Sequence, residues 1–281
     1  MSAAHAAHVV AIGAAFADPK TEQLLVDPVT EINNRLVSTT LDVALFWQQY
    51  LREVMIDTEL STACGNALLA SGCSELQVDQ VAGAIRSRLV DARGLFLKKY
   101  PKLVEQLQLR AQPLRNQWDT YGPGLLREVG RQIWGDKPPD RWTPSKIEAL
   151  LVQPIRGGDG GYDAEQKRIW VEAMLTDADP TVPEVLRVAW LMTRLTIDDY
   201  IRNENDDALA GSWSLVSVPL VLAAGLELGV VPTPELPIEI AMRLWHFSDA
   251  KTADKLTDWW KQHGESSLPL PAALKILDES L

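Results

Sequence analysis

The residues of this chain best suited to chemistry lie between positions 115 and 124. This stretch joins two aromatic rings, an acid and an arginine to a Gly-Pro-Gly sequence, which predicts a tight turn leading into a helix that begins near Pro123. The unpaired N–H groups of a helix N-terminus attract anions, and aromatic rings offer flat contact surface. We therefore predict a binding corner for a small ligand or a protein partner, made of Arg115, Trp118, Asp119, Tyr121, Gly122 and Gly124. In the alternative interpretation the corner is structural, with Trp118 packed and Asp119 capping the turn.

The usual metal and redox motifs do not occur in the sequence. The two cysteines, Cys64 and Cys73, have neither the C-x-x-C spacing of a zinc site nor a second pair to build a disulfide framework. We expect two buried free thiols, and a single short-loop disulfide is the alternative. The four histidines form no H-E-x-x-H pattern. The sequence therefore predicts no metal and no cofactor.

Two further clusters have simple structural interpretations. The glycines of residues 157–161 are not followed by the Lys-Ser or Lys-Thr of a phosphate-binding loop, so they predict the flexible tip of a hairpin. The acids Asp198, Asp199, Glu204, Asp206 and Asp207 do not have the spacing of a calcium-binding EF-hand loop, so they predict a solvated loop.

The charge distribution argues against nucleic acid as a partner. The net charge is −11, which opposes non-specific binding to a polyanion. Residues 86–115 are the exception, since they are rich in Lys and Arg. We expect this basic stretch to be a solvated helix face that complements the acidic C-terminal half of the chain, and contact with an acidic partner is the alternative.

Neither hydrophobic stretch of the sequence has the features of a membrane segment. Residues 213–231 approach the length of a span, but they include Pro219 and Glu227 and have no flanking Lys or Arg, so they predict a buried core helix. Residues 1–17 end in a small-x-small sequence typical of signal-peptide cleavage, yet they lack a basic start. We therefore expect no membrane partner and a cytoplasmic location, with secretion as the alternative.

The hydrophobic pattern predicts a mainly α (α+β) fold. Helical spacing of apolar residues dominates the chain, and only residues 147–153 and 167–174 show β-like runs, which predict one small antiparallel hairpin or sheet around 147–174. We expect an N-terminal helical region over 1–140 and a hairpin plus helices over 141–281, or one continuous domain. The predicted helices cover 29–60 with a break at Ser38–Thr40, 75–100, 101–110 ended by Pro113, 124–134, 185–195 opened by a Thr181–Glu184 capping box, 217–229, 235–247, 252–263 and 271–279.

Three segments of the sequence resemble an uncharacterised bacterial protein family over roughly residues 110–230. They are the Gln117-Trp118…Gly122-Pro123-Gly124 stretch, the Gln153–Gly161 stretch and the Pro183–Leu191 stretch. The strand followed by a helix is also similar to the active-site region of zincin metallopeptidases, in which H-E-x-x-H binds zinc. Here Arg187, Val188 and Leu191 occupy the places of the first His, the Glu and the second His. That resemblance implies a descendant that neither binds zinc nor cleaves peptides.

The absence of a complete catalytic motif favours a non-catalytic interaction or scaffold protein. The ten tryptophans fit this expectation, because tryptophan is enriched at interface hot spots as well as in cores. The alternative is an enzyme without a standard motif, whose site would use Arg115, Asp119 and Tyr121 together with Asp159 or Asp163.

Overall fold

The protein is described by a computed structural model that covers residues 1–135, 137–139, 142, 144–204, 210–247, 249–265 and 270–280. Its elements in chain order are α1 (Ser2–Ala11), α2 (Pro19–Ser38), α3 (Val43–Met55), α4 (Leu60–Ala70), α5 (Glu75–Lys99), α6 (Leu103–Trp134), β1 (Glu148–Val152), β2 (Gly160–Asp163), β3 (Arg168–Glu172), α7 (Glu184–Glu204), α8 (Ala210–Glu227), α9 (Ile238–Leu244), α10 (Ala250–Glu265) and α11 (Leu270–Ser280). The mainly α fold with one small sheet is confirmed.

The sheet differs in its topology from the predicted hairpin. Both predicted strands are present, but the glycine-rich segment between them forms a strand of its own, and the strand order is β1-β3-β2. The antiparallel hairpin joins β2 to β3, with Gly160 opposite Val171. The two predicted strands are therefore neighbours in the sheet, as expected, but the hairpin is formed by β2 and β3 rather than by β1 and β3. Glycine-rich sequence has low strand propensity, and here pairing with the buried strand β3 overrides that propensity.

The long helix α6 overturns the predicted break between residues 110 and 124. Pro113 and Pro123 both lie inside this helix. Each proline removes one backbone N–H, which leaves the carbonyls of Leu109 and Asp119 without a helical partner. Both prolines face solvent, where water can satisfy those carbonyls, while Leu125 and other apolar residues of the opposite face are buried. Packing of the apolar face therefore outweighs the two lost hydrogen bonds.

The chain divides into two compact units, which we call unit 1 (1–109 with 150–156) and unit 2 (110–149 with 157–281). The expected boundary at residue 140 lies inside unit 2. In unit 1, α1 packs against the core: His5 is buried, and the Ser2 hydroxyl accepts a hydrogen bond from the N–H of Gln153 at 3.1 Å. The rings of Phe46, Trp47 and Tyr50 form an aromatic cluster in the same core.

Both cysteines of unit 1 are buried free thiols, as expected. Burial raises the pKa of Cys64 to about 11. In unit 2, α8 is long and apolar enough to cross a bilayer, but 61% of this 18-residue helix is buried within the structure. This burial is what a core helix of a folded domain shows.

Candidate functional site

The predicted corner at residues 115–124 does not exist as a turn. All of its residues lie on α6, so their N–H groups belong to a continuous helix and provide no free N-terminus for an anion. Arg115, Asp119 and Tyr121 face solvent, and Trp118 is half-buried. Arg115 and Asp119, four residues apart, share one face of the helix, whereas Tyr121 lies about 160° around the helix from Asp119, so the structure does not bring these side chains together.

The two glycines of this stretch have packing roles. The ring of Trp118 lies over Gly122, where an added Cβ would overlap it, and Gly124 faces Leu228, whose Cδ1 would be 3.1 Å from an added Cβ. The local geometry thus favours the structural alternative for these two positions. Ligand binding by the six residues stays a prediction.

The glycine-rich loop does form an anion cradle, and a carboxylate of the chain itself occupies it. The backbone N–H groups of Gly157, Gly158 and Asp159 all donate to Oε2 of Glu172, at 2.8, 2.8 and 3.1 Å. Gly157 and Gly158 have φ angles of 87° and 137°, which side-chain-bearing residues rarely adopt. Three N–H groups converging on one oxygen are how a protein binds phosphate, but here Glu172 already fills the place.

A buried arginine fastens this loop to the long helix α7. Arg187 is 1% exposed, and its guanidinium donates to the carbonyls of Asp159 and Glu172 and to the carboxylate of Glu184. The Arg187 Nη2 to Glu172 carbonyl distance is 2.7 Å. At the position that a zincin would give to its first histidine ligand, this chain therefore has a structural cation.

The predicted capping box at the start of α7 is wrong. Glu184 pairs with Arg187, and the Asp177 carboxylate accepts the N–H of Glu184 at 2.8 Å. Burial raises the pKa of Glu184, and Arg187 opposes this rise. The Thr181-x-x-Glu184 spacing is typical of a capping box, and nothing in the sequence indicates that Arg187, one turn later, is buried and pairs with Glu184 instead.

The two remaining acids of the enzyme hypothesis serve turns. The side chain of Asp159 accepts the N–H of Gly160 at 2.9 Å, and that of Asp163 accepts the N–H of Gln166 at 3.0 Å. Both residues are buried. Each carboxylate is therefore engaged by a backbone N–H of its own turn.

The prediction of a solvated loop is wrong for Asp198, Asp199 and Glu204, which lie on α7. Asp198 accepts a hydrogen bond from the Tyr162 hydroxyl at 2.6 Å, and Asp199 pairs with Lys167 at 3.5 Å. Asp206 and Asp207 lie outside the described residues. Arg194, one turn before Asp198, is stacked among the rings of Tyr162, Trp190 and Phe247, with distances to the ring centroids of 4.7–5.4 Å.

Unit 2 contains a groove of about 830 Å³ bounded by α8, α9, α10 and the loop that leads into α9. Apolar side chains and Trp260 form its walls, and we call it the acidic groove because four carboxylates border it. Its residues are Ala223, Leu226, Pro234, Glu235, Leu236, Pro237, Ile238, Glu239, Ile240, Asp254, Thr257, Asp258, Trp260 and Lys261.

Charge in the acidic groove is strongly one-sided. Glu235, Glu239, Asp254 and Asp258 are all exposed, and Lys261, the one cation among the described lining residues, lies 4.0 Å from Glu235. The sequence carried a signal for this arrangement that our reasoning missed. Asp254 and Asp258 are four residues apart, and this spacing places both on one face of α10, whereas Glu239 lies on α9 and Glu235 lies in the loop before it.

A smaller cavity lies in unit 1 between α1, α3 and α5. Its volume is about 220 Å³, and Tyr50, Asp57 and Arg93 are its main polar lining residues. Ligand pockets usually enclose about 300–1,000 Å³. Burial raises the pKa of Tyr50 to about 12, so this phenol stays protonated at neutral pH.

Within the part of the chain that the structure describes, no group of three or more His, Cys, Asp or Glu side chains is arranged to hold a metal ion. Comparisons found no matching protein family, no similar curated protein and no similar solved structure. The resemblance of residues 110–230 to a bacterial family and to zincins therefore stays a prediction, and function has to be argued from the geometry.

Proposed function

We propose that this chain is a non-catalytic interaction protein whose acidic groove binds a cationic, amphipathic segment of a partner protein. The observation that carries the proposal is that, among the described lining residues, apolar walls are paired with four exposed carboxylates and one ammonium group. Such a surface matches a helix or extended strand that carries Leu- or Phe-type anchors and flanking Lys or Arg.

The two parts of the groove would contribute differently to binding. Trp260 and the apolar walls would bury the partner's anchors, which supplies most of the affinity. The exposed carboxylates would raise the association rate and select against acidic segments, and salt would weaken this contribution. We therefore expect binding that is specific for positive charge and falls with ionic strength without vanishing.

The alternative of an enzyme with an acid, arginine and aromatic site has less support. Its exposed members, Arg115, Asp119 and Tyr121, face solvent from α6, and Tyr121 lies about 160° around the helix from Asp119. Its buried members, Asp159 and Asp163, accept backbone hydrogen bonds in turns. The acidic groove, with its apolar walls and charged rim, therefore supports a binding function better than these residues support catalysis.

Fluorescence anisotropy with a designed peptide tests the proposal. The probe is a labelled 14-residue helical peptide with leucines along one face and lysines along the other, and the matched control peptide has every lysine replaced by glutamate. We expect saturable binding of the lysine peptide and at least tenfold weaker binding of the glutamate peptide. Equal binding of both peptides, or no binding of either, would refute the proposal.

Charge reversal locates the binding on the protein. The variant Asp254→Lys/Asp258→Lys should weaken binding of the lysine peptide at least tenfold, because two of the four groove carboxylates are reversed. The control variant Glu105→Lys/Asp119→Lys changes the net charge equally on the exposed face of α6 and should leave binding within about twofold. Equal losses in both variants would mean that only the net charge matters.

A further inference from the structure

We propose that the cavity of unit 1 binds a small carboxylate with a short apolar chain, held by the start of α1, by Tyr50 and by Arg93. This proposal is independent of the acidic groove, which belongs to unit 2. It rests on hydrogen-bond donors from three helices that border one cavity and have no acceptor there, and on the apolar walls of the same cavity.

The start of α1 supplies backbone donors. The first helical hydrogen bond runs from the N–H of His5 to the carbonyl of Met1, at 3.0 Å. The N–H groups of Ser2, Ala3 and Ala4 therefore have no acceptor within the helix, and Met1 has no side-chain oxygen to cap them. Among the described residues they have no other acceptor, and all three residues line the cavity. Free N–H groups at the positive end of a helix dipole attract a carboxylate.

Tyr50 adds a hydroxyl from α3. It is 7% exposed and lines the cavity, while its ring packs against those of Phe46 and Trp47. In the part of the chain that the structure describes, no hydrogen bond reaches the Tyr50 hydroxyl. Buried hydroxyls usually have a partner, so an unpaired one beside a cavity marks a place for a ligand atom. Burial raises the pKa of Tyr50 to about 12, which keeps the phenol protonated and able to donate.

Arg93 supplies the positive charge from α5. Burial raises the pKa of Tyr50 and the charge of Arg93 opposes this rise, so the guanidinium lies near the phenol. Burial and then Arg93 lower the pKa of the amino group of Met1, so the guanidinium also lies near the start of α1. Asp57, the one acid among the described lining residues, is exposed and forms no ion pair with Arg93. A carboxylate can accept hydrogen bonds from all three kinds of donor.

The size and walls of the cavity define the rest of the ligand. Its volume is about 220 Å³. Water occupies about 30 Å³ per molecule in the liquid, so roughly seven non-hydrogen atoms fit. Apolar side chains form the walls, among them Ala7, Val54, Leu60, Leu89 and Leu103. Pentanoate matches this size, and its hydrocarbon chain would lie against the walls while its carboxylate binds the donors.

Titration of isotopically labelled protein with pentanoate, followed by two-dimensional NMR, tests the site. We expect saturable shifts of the amide signals of Ser2, Ala3 and Ala4, because these N–H groups would donate to the carboxylate. Pentanamide has the same size without the charge, so it is the matched control and should bind at least tenfold more weakly. Equal binding of the two probes would overturn the proposal. So would the absence of a saturable shift in these signals at about 20 mM pentanoate, where even millimolar affinity is detected.

Substitutions around the cavity locate the binding. Arg93→Gln should weaken pentanoate binding at least tenfold, whereas Arg86→Gln, two turns earlier on α5 and outside the cavity, should leave it within about twofold. Tyr50→Phe should weaken binding at least threefold without lowering the melting temperature, because the hydroxyl has no protein partner to lose. Unchanged affinity in Arg93→Gln or Tyr50→Phe would overturn the proposed site.

Asp57 provides a test in the opposite direction. Its φ angle is 57°, a conformation that asparagine tolerates as well as aspartate, so Asp57→Asn should keep the fold. Removing this negative charge from the lining should strengthen pentanoate binding at least twofold and leave pentanamide binding unchanged. Weaker pentanoate binding in Asp57→Asn would contradict an anion site.

Discussion

Replacing Arg187 with methionine should destabilise unit 2 more than any substitution of an exposed arginine. The buried guanidinium holds the Glu184 carboxylate and the carbonyls of Asp159 and Glu172. Methionine fills most of the volume but donates no hydrogen bond. The loop that carries the glycine cradle would therefore lose its attachment to α7.

The expected magnitude follows from the contacts that are lost. Breaking a buried ion pair by removing one member costs about 3–5 kcal/mol. The carbonyls of Asp159 and Glu172 each keep a backbone hydrogen bond at 3.0 Å, from the N–H of Glu172 and of Met174, so each hydrogen bond lost from the guanidinium adds only about 0.5–1.5 kcal/mol. Because a whole domain is stable by only about 5–15 kcal/mol, Arg187→Met should bring unit 2 close to unfolding at room temperature.

Urea titration followed by tryptophan fluorescence measures this loss, since nine of the ten tryptophans belong to unit 2. Arg115→Met on the exposed face of α6 is the control and should change the unfolding free energy by less than about 0.5 kcal/mol. The double variant Arg187→Met/Glu184→Gln should recover part of the loss, because no buried charge is left unpaired. A loss below about 1 kcal/mol in Arg187→Met would refute the reasoning, since that is the size of an ordinary substitution.

The same variant should depend on pH in a defined direction. Burial raises the pKa of Glu184 in the folded chain above its unfolded value, and without Arg187 nothing opposes that rise. An acid with a raised folded pKa stabilises the fold at low pH, and this stability is lost as the pH rises through the folded pKa. Arg187→Met should therefore be more stable at pH 5 than at pH 7 relative to Arg187→Met/Glu184→Gln, and a pH-independent difference would contradict the buried, unpaired carboxylate.

Three further substitutions test separate features. Gly158→Ala should lower the free energy of unfolding by about 1–3 kcal/mol in a urea titration, because φ is 137° and the new Cβ would lie 2.7 Å from the Leu244 carbonyl oxygen. The control Gly211→Ala, whose new Cβ meets no atom within 4 Å on α8, should leave it unchanged, and equal effects of the two substitutions would contradict this. Asp119→Ala should leave the melting temperature unchanged or slightly raised, because the residue is exposed inside a helix; a drop of several degrees would restore a capping role. Burial lowers the pKa of His263. The neutral imidazole therefore contributes stability above the unfolded pKa of about 6.5, and this contribution is lost as the pH falls through the lower folded pKa. His263→Gln should lose less stability than the original chain between pH 7.5 and 5.5, and parallel pH profiles of the two proteins would argue against this role.

Local periodicity predicted most of the helices, because their apolar faces repeat at helical spacing. The break after Ser38 and the start of α5 after Ser74 follow directly from sequence, as does the end of α5 before Pro101. The failures occurred where tertiary packing overrides local preference. Pro113 and Pro123 would end an isolated helix, but in α6 the buried face keeps the helix continuous.

The candidate sites were harder to predict for a related reason. The binding corner was inferred from a turn that does not form, so its argument failed together with the turn. The burial of Arg187 depends on loop 157–159 folding back onto α7, which no spacing in the sequence encodes. The acidic groove brings together residues from three helices and a loop, and only the four-residue spacing of Asp254 and Asp258 was visible in the sequence.

Hydrogen–deuterium exchange with and without the lysine peptide tests the central claim most directly, because it locates the contact surface on the original chain. We predict slower exchange in residues 234–240 and 254–261, which line the acidic groove, and unchanged exchange in residues 115–124 of α6. Protection of residues 115–124 alone, or no protection of either groove segment at a saturating peptide concentration, would contradict the proposal that this groove is the binding site.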